Sequence, residues 1–275
     1  MKIFDFNLHL PLALNDSVEQ SLETELMHDG QSLYKAFSQH KDKIEGYVNG
    51  ANIMLFSADA LLDNAEPSFI ESVSNLFDHF TMTVMLDFRS KEAYSALDAL
   101  SKKNISAIKF HSYFQKITDS DFPDVLRLSE YAQSLGISVA VCTSYGTSNM
   151  YLFDGMHLAC YLSNAITRVP LILLHSGGAK AIDAMLLAAE KKNVYLESSF
   201  SLNYYQGSTI EKDLAFSYRK IGVDRILYGS DYPYVSMEDS IRVAQEFFLS
   251  NHYSEVEMEK IFFLNAMNLF QLQDD

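Results

Sequence analysis

Short runs rich in β-branched and aromatic residues alternate with segments of helical period along the whole chain. The runs 2–10, 47–56, 82–88, 105–110, 137–142, 170–174, 194–198 and 225–229 read as strands. Between two of them, Phe122, Val125, Leu128, Ala132 and Leu135 recur at helical spacing ahead of Gly136, a helix stop signal. After Gly178, the residues Ile182, Met185, Leu186 and Ala189 form the apolar stripe of another helix. Such alternation predicts a parallel sheet covered by helices, and eight strands predict an α/β fold closed as a (β/α)8 TIM barrel. The stretch 11–45 exceeds an ordinary connection and predicts a helical insertion after strand one, with helices around 18–27 and 31–43. An open doubly wound sheet is the alternative, but no Gly-x-Gly-x-x-Gly follows a candidate strand. No low-complexity linker, charge run or close repeat divides the chain, so residues 1–275 are read as one domain.

The first strand is read as Ile3 to Leu10, with apolar and polar residues alternating from Phe4 on. Asp5, Asn7 and His9 are expected on one face and bulky apolar side chains on the other. Three polar groups on an inner face are costly to bury alone, so polar or ionic partners are expected to converge on them. In a barrel of this kind the C-terminal strand ends share one site. Those ends carry Asn7 and His9, Asp87 and Arg89, Lys109 and His111, Cys142 and Thr143, His175 and Ser176, Glu197 and Ser198, and Ser230 and Asp231.

Composition narrows the classes. A chain of 275 residues with 48% apolar residues can bury a large core. Its 36 acidic against 21 basic side chains, a formal charge of -15, oppose binding to nucleic acid or to an anionic membrane. Asp5 interrupts the apolar run that a secretory signal needs. No apolar stretch spans a bilayer: Leu171 to Leu174 is hemmed in by Arg168, His175 and Lys180. Two cysteines, Cys142 and Cys160, make neither a disulfide framework nor a Cys-rich zinc site, and the expected setting is a reducing cytoplasm.

Three of the eight histidines, His9, His111 and His175, fall at strand ends, whereas His28, His40, His79, His157 and His252 fall in helical or loop segments. For any one strand-end histidine a satisfied structural role competes evenly with a functional one; the set together with Asp231 points to function. Tyr113, Phe114, Tyr145, Tyr204, Tyr205, Tyr232 and Tyr234 follow strands four, five, seven and eight and would ring the mouth, although ordinary packing explains any single one. Arg89 can receive a carboxylate in a bidentate contact, against the plain alternative of a solvated cation. Together these residues favour a small anionic or hydroxylated organic substrate.

The segments Phe4-Asp5-Phe6-Asn7-Leu8-His9, Ala107-Ile108-Lys109-Phe110-His111, Val139 to Thr143, Leu173 to Gly178 (with His175-Ser176-Gly177-Gly178), Asn193 to Ser199 and Arg225 to Pro233 (with Gly229-Ser230-Asp231-Tyr232-Pro233) occur in one order along the chain, ahead of Asn265 to Phe270. In this order the chain resembles the amidohydrolase superfamily, specifically the amidohydrolase-related branch with carboxymuconate-semialdehyde decarboxylase-like and dicarboxylate lactonase-like enzymes.

The resemblance implies a TIM barrel with a site at its mouth, a divalent metal (zinc foremost) and often a homodimer. It implies metal ligands from two first-strand histidines, a strand-five histidine and a strand-eight aspartate. His9 and Asp231 match, whereas Asn7 and Cys142 occupy the other two positions. A Cys142, His9, Asp231 site with Asn7 or water as fourth partner suits zinc chemically, while Cys142 also reads as a small buried core residue and Asn7 as a loop-fixing one. The implied activity is hydrolysis of a small ester, lactone or amide, with Asp231 as general base and His175 as acid/base or oxyanion partner. Arg89, Lys109, His111, Tyr113, Tyr145 and Tyr232 are the expected substrate contacts. Without metal, Asp231 would activate water directly while His175, His9 and a cation polarise the substrate. Decarboxylation on the same barrel, and a degenerate barrel that only binds a ligand or a protein, are the alternatives.

Overall fold

The computed structural model describes residues 1–15, 18–63, 66–145 and 147–272. Every expected strand is present: β1 Phe4–His9, β2 Gly50–Leu55, β3 His79–Met85, β4 Ile105–Phe110, β5 Ser138–Cys142, β6 Leu171–Leu174, β7 Val194–Glu197 and β8 Ile226–Leu227. All pair in parallel, in the order β1 to β8, with helices between them. The seam from β8 to β1 is closed by Phe6 N–H donating to Tyr228 O (2.9 Å), Asp231 N–H to Asn7 O (3.0 Å) and His9 N–H to Tyr232 O (2.8 Å). The fold is a (β/α)8 barrel.

Most strands are trimmed by one to three residues relative to the pattern-based expectation, and two boundaries have a plain cause. β3 starts at His79 because His79 and Phe80 still pair with Gly50 and Ala51. β8 has a two-residue ladder because Tyr228 N–H turns to the carbonyl of Ile261 instead of a strand.

The strict two-face reading of β1 is corrected. Its register against β2 shifts between Asp5 and Leu8. That irregularity lets Phe4 and Phe6 join Met54, Ala140, Ile172 and Leu174, while Leu8 and Leu10 join the larger core. Gly50 makes room for this: a Cβ there would sit 2.7 Å from the Phe4 ring. From the C-terminal helix Asn265–Phe270, Phe270 stacks on Phe6 at 5.3 Å. Asn265 Nδ2 donates to Val223 O and Ile226 O, each at 2.7 Å, and pins that helix to β8. The strand-start end is thereby filled, and the opening lies at the other end.

The insertion after β1 holds α1, Val18–Glu23, and α2, Gly30–Ile44. The Asp29 carboxylate caps α2 by accepting from Ser32 N–H at 2.6 Å. α2 buries Leu33, Ala36, Phe37, His40 and Ile44, one face at helical spacing. Among the described residues no helix is long and apolar enough to cross a membrane.

Candidate active site

Polar groups do converge on β1. The buried Asp5 carboxylate accepts from Ser230 N–H (2.8 Å), Asn7 N–H (3.0 Å) and the Ser230 hydroxyl. Burial pushes Asp5 above the usual carboxylate range, against the pull of those bonds. One turn of pleat further on, the His9 ring is held at both nitrogens: Nδ1 lies 2.8 Å from Glu25 Oε2 and Nε2 lies 3.1 Å from Asn7 Oδ1. Glu25 sits in the turn between α1 and α2, and it also accepts from the Tyr234 hydroxyl at 2.6 Å. Asn7 Nδ2 donates to Asp231 Oδ1 (3.3 Å) and Ser199 Oγ (2.8 Å).

Ser199 links this group to β6 and β7. Its Oγ lies 3.1 Å from His175 Nδ1 and 2.8 Å from Glu197 Oε2. His175 Nδ1 also lies 3.2 Å from Ser199 O, the ring is hydrogen-bonded to the Cys142 sulfur as well, and the side chain lines the cavity. Burial alone would push the His175 imidazole down, but Cys142 and Asp231 outweigh it and raise it to about 9. Burial raises Glu197 to about 7. Burial would also push the Cys142 thiol up; the His111 and His175 imidazoles reverse that and draw it well below the usual range.

The backbone presents these groups under strain. His175 (φ 66), Ser176 (φ 51) and Asp231 (φ 59) occupy the left-handed region, which L-residues hold only when their surroundings fix them. Gly229 permits the close approach behind them, since a Cβ there would overlap the Glu197 carboxylate and Asn7.

A cavity of about 280 Å³ opens at the strand ends. Its walls include His9, Lys109, His111, His175 and Asp231, and the phenol-bearing Tyr113, Tyr145 and Tyr234. Two expected substrate contacts are placed elsewhere. Arg89 lines a separate groove, its guanidinium 3.1 Å from Asp121 and donating to Gln115 O and Lys116 O. Tyr232 is buried, with its hydroxyl 2.9 Å from His40 Nδ1, because the turn after β8 aims it at α2. Asn7 and Cys142 stand behind the cavity wall, with Cys142 Sγ 3.2 Å from Ser144 Oγ. Glu25 and Ser199 are the contributors that strand-end reasoning missed. Ser199 lies one residue beyond the Glu197-Ser198 pair already singled out, and Glu25 carries no pattern that ties it to His9.

A parallel barrel with acid, base and amine groups gathered at its C-terminal strand ends is the architecture of a barrel enzyme. The chain belongs to the amidohydrolase family, whose model matches residues 69–272, and it is an enzyme of the amidohydrolase type. Solved structures agree on the fold. A probable 2-pyrone-4,6-dicarboxylic acid hydrolase from Acinetobacter baumannii, crystallised with citric acid, superposes with a TM-score of 0.63 at 12% identity, over 99% of this chain and 100% of that one. An amidohydrolase from Burkholderia multivorans with bound zinc gives 0.65 at 12% identity, over 99% and 100% of the two chains. A dihydroxybenzoic acid decarboxylase from a Polaromonas species, with bound manganese and 2-nitroresorcinol, gives 0.62 at 14% identity, over 100% and 98%. No curated protein sequence matches the chain.

Two of these neighbours carry a divalent ion, zinc in one and manganese in the other. The residues of this chain do not fit one as they stand. The Asn7 amide spans His9 and Asp231, giving its oxygen to one and its N–H to the other. An ion shared by those two residues would have to displace that bridge. Cys142 keeps company with His111, His175 and Ser144. Among the described residues, no group of three or more His, Cys, Asp or Glu is placed to hold a metal ion. Of the ligand set expected from sequence, the structure gathers His9, Asn7 and Asp231, with His9 Nε2 3.7 Å from Asp231 Oδ1, and leaves Cys142 with its own partners; an amide that both donates and accepts satisfies the first three without a cation.

Proposed function

We propose that the chain hydrolyses a small hydroxylated or anionic ester, lactone or amide at this cavity by direct activation of water. One observation carries the reading: base and acid are joined by the hydrogen-bonded chain Asp231–Asn7–Ser199–His175, with links of 3.3, 2.8 and 3.1 Å, and both ends line the cavity. Asp231 takes a proton from water as the water oxygen attacks the carbonyl carbon. His175, raised to about 9, is protonated at neutral pH and supplies a proton to the developing oxyanion or leaving group. His9, fixed by Glu25, faces the same space. Zinc, the ion the sequence resemblance implies, has no role in these steps. The net charge of -15 places the recognition of any anion on groups inside the cavity rather than on the surface field.

Turnover of a panel of nitrophenyl esters, aryl lactones and anilides tests this. D231N and H175Q are expected to lower kcat by roughly 100-fold or more on whichever compound is turned over. A well-folded wild-type protein with no turnover on any compound sinks the proposal. Decarboxylation is a second reading, favoured by the buried Lys109 and His111, which set an amine and an imidazole in the same cavity as the apolar Leu22, Met150 and Phe200.

A further inference from the structure

The hydrolytic steps leave one reactive group of the cavity unused. Lys109 lies on β4, in register with Met85 of β3 and Ala140 of β5, and it is only 2% exposed. Its neighbours in sequence, Ile108 and Phe110, belong to the core between barrel and helices, so the lysine projects to the opposite, inner face. Its Nζ stands 4.8 Å from the centre of the Phe56 ring, and the side chain lines the cavity.

Among the described residues, Lys109 Nζ has neither a carboxylate within ion-pair distance nor a hydrogen-bond partner. The half-buried Lys180 shows the contrast: its Nζ is in direct contact with the Asp154 carboxylate. A buried ammonium without a contacting counter-charge is costly, and burial pushes the Lys109 amine down toward its neutral, nucleophilic form. Beside it, His111 lies on the same face of the strand, is 3% exposed and lines the same cavity. Its Nδ1 has no hydrogen-bond partner among the described residues. A desolvated amine beside an imidazole that touches the Cys142 sulfur yet keeps Nδ1 unpartnered is the equipment of carbonyl condensation.

We propose that Lys109 is a catalytic residue that forms a Schiff base with a small 3-oxo acid or related ketone, giving the barrel a carbon–carbon bond-cleaving activity. The Nζ lone pair attacks the ketone carbon, a proton passes by way of His111 to the carbinolamine oxygen, and water leaves as the C=N bond forms. In the protonated imine of a 3-oxo acid the bond to the carboxyl carbon breaks, carbon dioxide departs, and the electron pair moves into an enamine. His175 protonates the enamine carbon, and water then hydrolyses the imine to release the ketone and restore the amine. The sum is 3-oxo acid to ketone plus carbon dioxide, with no external oxidant or reductant. This goes beyond the hydrolytic reading and does not rest on it.

Trapping on the whole protein tests it, with acetoacetate as the probe and sodium cyanoborohydride as the reductant. One reduced adduct is expected on the peptide that holds Lys109, formed roughly tenfold or more faster than on any surface lysine. An isopropyl group on that peptide shows that carbon dioxide has left before reduction. K109M, checked for its melting transition, is expected to lose the adduct. Peptide mapping of the wild type decides the matter even where K109M does not fold. An unlabelled Lys109 peptide beside labelled surface lysines overturns the proposal. Ester turnover without trapping would leave hydrolysis standing alone, and trapping without ester turnover would leave the imine chemistry standing alone.

Discussion

Asn7 Nδ2 points at Asp231 Oδ1 across the seam where β8 closes on β1, 3.3 Å away, while Asn7 Oδ1 lies 3.1 Å from His9 Nε2. A neutral amide thus ties together the two residues that the sequence resemblance assigns to a shared cation. A hydrogen-bonded bridge fixes their orientation but supplies no Lewis acidity, so in the proposed hydrolysis the electrostatic help comes from His175 and the rest of the cavity wall.

Removal of that bridge should be felt in turnover. N7L leaves His9 Nε2 and Asp231 Oδ1 each short of one partner, and kcat is expected to fall about 10-fold to 100-fold, the range seen when orienting partners are lost. Dialysis against a chelator is expected to leave wild-type kcat unchanged. A loss on dialysis that added zinc or manganese restores would overturn the bridge as a functional substitute.

Glu25 is predicted to hold the insertion to the barrel. Its carboxylate is 1% exposed and receives both His9 Nδ1 and the Tyr234 hydroxyl. E25A leaves two buried polar groups unpartnered and is expected to cost about 2 kcal/mol or more, against about 1 kcal/mol for Y234F, which removes one hydroxyl. Chemical denaturation with a common slope for all three proteins checks the ranking. Equal stability of E25A and wild type would remove Glu25 from the site's support.

How far the sequence reveals this arrangement depends on the range of each interaction. The eight strands were legible because each is a short apolar run between turn signals, and His9, His175 and Asp231 were legible because strand ends in a barrel share one face. The split of Phe4 and Phe6 from Leu8 was not, since the register shift between Asp5 and Leu8 depends on pairing with β2 and leaves the alternation in the sequence intact. Glu25 was hidden for a related reason. Its bond to His9 joins residues 16 apart through a loop whose path is set by the packing of α2. Arg89 and Tyr232 follow strands as expected, yet each side chain leaves the mouth for a better partner: Asp121 in one case, His40 in the other.

Those two placements separate stability from substrate binding. Y232F removes the partner of His40 Nδ1 in a buried contact of 2.9 Å and is expected to cost about 1 kcal/mol with KM unchanged. Tyr145 lines the cavity, and Y145F is expected to raise KM for a substrate that uses its hydroxyl. Thermal melts and steady-state kinetics on the two variants decide it. A raised KM in Y232F with an unchanged melting temperature would return Tyr232 to the mouth.

Glu197 should make the fold's stability depend on pH in an identifiable window. Burial raises its carboxyl from 4.5 to about 7 in the folded protein, so the native state holds the proton more tightly than the unfolded chain. For an acid raised on folding, this contribution is fully present below about pH 4.5 and is lost as pH rises through about 7. The span corresponds to about 3 kcal/mol at most. His175, raised to about 9, adds a loss of the same sign at higher pH, from its ordinary 6.5 upward. E197Q cannot ionise, so between about pH 4.5 and 7 its melting temperature should fall less than that of the wild type, while the loss above about pH 7 remains in both. Parallel melting curves across the lower window would show that Glu197 is already ionised in the folded protein, and that its three hydrogen bonds from His175 N–H, Ser199 N–H and Ser199 Oγ outweigh burial.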